Sequence, residues 1–151
     1  MIEELPLQLA RELVKYERDC PAFCHDVLGA RLSSQQEEML YAISIDDRVA
    51  ASAGHGVGKS FGFAGAGWWF MFTRFNAQVL VTGPSSHQVY DVLWKEFVRT
   101  YKMLPPPLAE RFAVTKQRIY NVSNKEEWFL QARTARADNP SSMQGRHGPH
   151  M

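Results

Sequence analysis

Apolar residues recur at helical spacing from the start of the chain: Leu5, Leu9, Leu13 and Tyr16, with charged residues between them, predict an amphipathic helix over Leu5 to Arg18. Pro21 suits the opening of a second, short helical piece, Ala22 to Leu28, which Gly29 ends. Ser33 or Ser34 then caps a third helix, Gln35 to Ile45, with Glu37 and Glu38 in the first turn, where the helix dipole favours negative charge. Arg48 to Ser52 is short, rich in small residues and suited to a buried strand. Phe61 to Phe72, FGFAGAGWWFMF, carries no charge and falls well short of the roughly 20 apolar residues of a membrane span, so it predicts a buried helix. Its three glycines, Gly62, Gly65 and Gly67, each weaken a helix by about 1 kcal/mol relative to alanine. Their presence implies that close packing against a sheet requires them.

The second half alternates in the same way. Ala77 to Thr82 is a β-rich run closed by Gly83-Pro84, and a helix follows from Ser85 to Leu104 with Val89, Val92, Leu93, Phe97, Tyr101 and Leu104 on one side. Pro105, Pro106 and Pro107 stop it. Arg118 to Val122 and Glu127 to Ala132 bracket Ser123-Asn124-Lys125, the pattern of an antiparallel hairpin. Asp138 to Met151 is polar and punctuated by glycine and proline. No internal repeat or low-complexity linker interrupts the chain. Strand alternating with helix argues for an α/β layer built on a parallel sheet.

Composition narrows the class. At 151 residues, with 45% hydrophobic and 22% charged, the chain suits one globular domain able to bury a core. A net charge of +1 supplies no global footprint for nucleic acid, so any such contact has to be local. Met1-Ile2-Glu3-Glu4 is acidic where a secretory leader would be basic, which sets the expectation of an intracellular protein. Cys20 and Cys24 have only His25 near them, too few ligands for zinc, and are expected to be reduced structural thiols.

The chemistry concentrates in Ala53 to Ser60, AGHGVGKS, which matches the phosphate-binding loop pattern with Ala53 in place of the first glycine. Gly54, Gly56 and Gly58 let the backbone curl with its N–H groups turned towards an anion. Lys59 adds a full positive charge. Ser60 would open a helix whose dipole favours negative charge, with its hydroxyl placed to ligate the magnesium ion of a nucleoside triphosphate. ATP or GTP with a metal is the expected ligand. Hydrolysis also needs an acidic residue for the metal's outer shell and another to orient the attacking water. An apolar run followed by carboxylates occurs only in Tyr41 to Asp47, where Asp46 and Asp47 precede the loop and read as a solvated turn after a helix.

Taken in order, AFCHDVLGA, SSQQEEMLYAI, RVAASAGHGVGKS, QVLVTGPSSHQVYDVLWKEF and EWFLQARTARADNPSSMQGRHGPH resemble the ATPase domain of the large terminase subunits of tailed bacteriophages and prophages, from about Asp19 to the end of the chain. The resemblance implies a phosphate-loop NTPase fold, a mostly parallel sheet flanked by helices. Residues 1–30 would be a helical lead-in and 31–151 the ATPase domain, stopping short of the apolar strand ending in Asp-Glu and of the nuclease domain that such relatives carry. It assigns ATP and Mg²⁺ to Gly54, His55, Gly56, Val57, Gly58, Lys59, Ser60 and Phe61, with Lys59 catalytic and the Ser60 hydroxyl on the metal. His55 stands where many terminases have an arginine. Gln36 matches a glutamine that reads adenine, its amide offering both donor and acceptor. The segment Thr82 to Gln88 matches a second loop near nucleotide or DNA, although a helix cap by Ser85 explains the same residues. Arg133, Arg136 and Arg146 lie where such motors offer an arginine to a neighbouring subunit's phosphates. The implied partners are double-stranded DNA, the phage portal, the small terminase subunit and further copies of the chain in a ring. The implied location is the bacterial host's cytoplasm and, transiently, the procapsid portal, with no membrane association. Two rival readings are a non-catalytic interaction module or truncated prophage remnant with an idle loop, and a helicase-like DNA-dependent ATPase.

Overall fold

A computed structural model describes residues 7–45 and 58–134. Three helices lead in: α1 (Leu7–Val14), α2 (Cys20–Asp26) and α3 (Ser34–Ile45). Asp19 caps α2, its carboxylate accepting from the Ala22 N–H at 3.1 Å, and Pro21 sits in the first turn, where a missing N–H removes no helical bond. After α2, Gly29 adopts the left-handed region at φ 68°. The cap of α3 is Ser33: its Oγ accepts from Gln36 N at 3.1 Å while Gln36 Oε1 accepts from Ser33 N at 2.9 Å, a reciprocal capping box.

The uncharged run forms α4 (Lys59–Thr73), followed by strand β1 (Gln78–Gly83). The predicted helix after β1 is two things in sequence, a π-helical segment over His87–Leu93 and then α5 (Trp94–Tyr101). Its wider turn is visible in the Trp94 N–H, which donates to the carbonyl of Val89, five residues back. The prolines stop α5 as expected, and Pro106 opens a further short turn, α6 (Pro106–Ala109). Strands β2 (Phe112–Val114), β3 (Arg118–Asn121) and β4 (Phe129–Thr134) complete the described chain.

The fold class is α/β: a four-stranded sheet in the order β1-β4-β3-β2, flanked by helices. Parallel pairing is confined to β1 with β4, in register from Gln78↔Phe129 to Gly83↔Thr134, whereas β3 runs antiparallel to both β4 and β2. The sheet is therefore mixed among the described residues, a correction to the mostly parallel sheet expected. The expected hairpin is the reason. Its short turn forces β3 antiparallel to β4, and the unanticipated β2 extends the meander by one more antiparallel strand. The expected strand Arg48–Ser52 lies outside the described residues.

The core is aromatic and centred on α4. Trp68, fully buried, stacks with Phe72 at 5.9 Å between ring centroids and packs against Phe97, Tyr101 and Phe112. All four indole N–H groups find an acceptor: Trp68 on Thr100 Oγ1, Trp69 on the Tyr16 carbonyl, Trp94 on that of Thr115 and Trp128 on that of Met71. Those bonds let large amphipathic rings fill the interior without an unpaired donor.

The helical glycines are sites of close approach, though only one faces the sheet. A Cβ on Gly67 would meet the Phe97 ring at 2.6 Å and Leu130 of β4 at 3.1 Å. On Gly65 it would meet Cys24 of α2, and on Gly62 the end of Met39 of α3. Cys20 and Cys24 are both free and buried, and a hydrogen bond between the thiols together with burial drives the Cys20 pKa upwards. No helix among the described residues is long and apolar enough to cross a membrane.

Candidate functional site

Gly58 is the hinge between the glycine-rich loop and α4. It holds φ 75° and ψ 24°, left-handed values that suit glycine, and caps α4 without any side-chain hydrogen bond. No acidic residue lies in the first turn of α4, whose N-terminal dipole favours a negative charge. Lys59 and Ser60 follow directly, both half-buried.

These residues line one wall of a cleft of about 750 Å³, with Phe61 beside them. Thr82 and Gly83, at the carboxyl end of β1, form the floor. His87 and Gln88 of the π-helical segment and Glu96 and Arg99 of α5 complete the lining. Clefts outside the carboxyl ends of parallel strands are where α/β sheets bind ligands. Ser85 serves as a local cap here, its Oγ accepting from Gln88 N at 3.2 Å. His87 reaches Asp91 at 3.2 Å on the exposed side.

Gln36 touches the loop's end without lining the cleft. Its Nε2 donates to the Gly58 carbonyl at 3.0 Å, the same carbonyl that accepts the Gly62 N–H and so begins α4. With Oε1 accepting from Ser33 N, each end of the amide already holds one bond within the fold. A single side chain thus ties the start of α3 to the start of α4.

The remaining predicted residues are dispersed or lie elsewhere. Arg133 is half-buried on β4, in register with Thr82 of the cleft floor but not among the residues lining the cleft. Gly54, His55, Gly56 and Val57 of the loop, Arg136, Arg146 and the Asp46-Asp47 pair all lie outside the described residues. Sequence reasoning missed Glu96 and Arg99. Their spacing of three on one helix face was the available signal, but charge pairs of that kind are usually solvated surface. Among the described residues no group of three or more His, Cys, Asp or Glu side chains is gathered to hold a metal ion. Compared with family models, with curated proteins and with solved structures, the chain gives no significant match.

Proposed function

We propose that the chain is the nucleotide-binding part of a phosphate-loop ATPase of the kind that drives double-stranded DNA into phage capsids, with ATP and Mg²⁺ as its ligands. The observation that carries this reading is that Lys59 and Ser60 face one cleft at the carboxyl end of β1, at a helix start with no side-chain cap. The donor set fits a polyphosphate: one ammonium, a hydroxyl and the backbone N–H groups at the start of α4. Lys59 would hold the phosphate tail and offset the charge that builds on it during transfer, while the Ser60 hydroxyl would face the metal. Mg²⁺, when bound, supplies neutralisation of the phosphate oxygens.

The described lining of the cleft is poorer in carboxylates than in cations. Among the described residues Glu96 is the sole carboxylate lining it, and that carboxylate is held by Arg99 at 2.8 Å. We therefore expect tight binding with slow turnover. A functional motor in this reading needs a further carboxylate and further copies of the chain in a ring around DNA, meeting a portal and a small terminase subunit.

Equilibrium titration with a fluorescent ATP analogue and Mg²⁺ tests the reading. Lys59→Ala should weaken binding by about two orders of magnitude, the loss of a charged contact to phosphate in a partly desolvated site. Equal affinity in wild type and variant would remove the functional reading and favour an idle loop in an interaction module.

A further inference from the structure

Lys59 is not the only cation facing the cleft. Arg99 lines it from α5, twelve residues beyond the first residue of the π-helical segment. Its guanidinium is held on two sides. Glu96 Oε1 accepts from both Nε at 3.2 Å and Nη2 at 2.8 Å, and the Phe61 ring lies 5.2 Å from the guanidinium carbon. Phe61 directly follows Ser60, so the arginine rests against the first turn of α4, beside the motif residues.

The side chain is still 59% exposed, and Nη1 has no hydrogen-bond partner among the described residues. A freely solvated arginine samples many rotamers, whereas this one is oriented before any ligand arrives. Orienting a forked donor in advance lowers the entropy lost on binding. The charges agree with that role. Lys59 and Arg99 against Glu96 leave the described lining positive even with His87 neutral. An exposed pair three residues apart contributes little by itself, so an incoming phosphate can share or displace the Glu96 contact at small cost.

We propose that Arg99 is a second cationic contact for the phosphate tail of the nucleotide in the Lys59 cleft, acting from the same chain; this inference rests on the nucleotide-binding reading above. Lys59 would then grip the tail from α4 and Arg99 from α5. The phosphates would add a second polar link between two helices already joined by the Trp68 indole bond to Thr100 Oγ1. Preference for a di- or triphosphate over a monophosphate follows, because a longer tail offers a separate phosphate to each cation.

The test is a titration of the full chain with fluorescent ATP, ADP and AMP analogues, using wild type, Lys59→Ala, Arg99→Ala and Arg99→Gln. Arg99→Gln keeps a polar side chain over Phe61 and guards against a variant that fails to fold, and ligand-free thermal melting checks each protein. The expected result is about a tenfold loss of ATP affinity in both Arg99 variants, the usual effect of removing one charge-assisted bond, with AMP affinity unchanged. A structural role for Arg99 would instead shift all three nucleotides together, and that result overturns the proposal. Lys59-dependent ATP binding that ignores both Arg99 substitutions also overturns it, while leaving the nucleotide-binding reading intact. Absence of any Lys59-dependent binding removes both.

Discussion

At the scale of single residues, position 58 carries two independent demands for glycine. The left-handed φ costs an ordinary L-residue about 1–2 kcal/mol. A Cβ there would also collide with the Gln36 amide nitrogen, the group that donates to the Gly58 carbonyl. Gly58→Ala should therefore destabilise the fold by more than the backbone term alone, and Gln36→Ala should recover the steric part. Urea unfolding of the two single variants and the double variant measures this as a coupling; strictly additive effects would show that the amide does not press on position 58. The need for glycine was legible from the motif. Its second cause was not, because nothing in the 22-residue separation of Gln36 and Gly58 says that they touch. Arg99 was hidden for a related reason: only the packing of α5 against α4 gives an ordinary helix-surface charge pair a cleft to face.

At the scale of elements, α4 explains why glycines persist in a helix that would be stronger with alanines. Each replacement gains about 1 kcal/mol of helix propensity, so the sign of the net effect depends on what the new methyl meets. At Gly62 it meets the terminal methyl of Met39, the far end of a flexible side chain that can move aside. At Gly67 it meets an aromatic edge and a leucine at the same time, both fully buried and fixed by the sheet and α5. Gly62→Ala should be neutral or stabilising by up to about 1 kcal/mol. Gly67→Ala should destabilise by about 1–2 kcal/mol, since overpacking outweighs propensity there. Thermal melting ranks the two, and the opposite order would mean that α4 can shift away from α5.

Other elements show where periodicity stops being informative. The lead-in helices, α4, β1 and the hairpin announce themselves through spacing, caps and a polar turn. The π-helical half of the segment after β1 does not, because Val89, Val92 and Leu93 fit a narrower turn equally well. What the structure adds is a tertiary contact: a Cβ on Gly83 would lie 2.8 Å from Val89, so the segment starts hard against the strand it follows. Strand β2 has three residues, too few to show alternation. The parallel pairing of β1 with β4 joins segments about fifty residues apart, and only the assembled molecule reveals it.

At the scale of the whole molecule, the lead-in helices are fastened to the α/β layer by a buried polar bond as well as apolar packing. Trp69 of α4 donates to the Tyr16 carbonyl, while within the lead-in the Cys20 N–H of α2 donates to Ser44 Oγ of α3, which itself donates to the Leu40 carbonyl. Tyr16 is the centre of this joint: buried, edge-on to Phe23 and donating its hydroxyl to Asp26 at 2.9 Å. Burial, followed by the bond to Asp26, pushes its pKa from 10.0 up to about 12. The folded protein thus holds the phenolic proton more tightly than the unfolded chain. The resulting stabilisation is complete below pH 10 and is lost as the pH rises from 10.0 to about 12. The Asp26 carboxylate moves the other way, lowered chiefly by its hydrogen bonds from His25 and Tyr16, so its contribution is present above the ordinary carboxylate pKa and fades as the pH falls below it. Tyr16→Phe keeps the ring and its contact with Phe23 but removes the proton that titrates. The difference in melting temperature between wild type and this variant should stay constant from neutral pH to about pH 10 and shrink towards pH 12, with a late-ionising phenol present in the ultraviolet titration of wild type and missing from that of Tyr16→Phe. Parallel curves across that interval would mean that the joint opens before Tyr16 ionises, and that the lead-in helices detach without unfolding the layer beneath them.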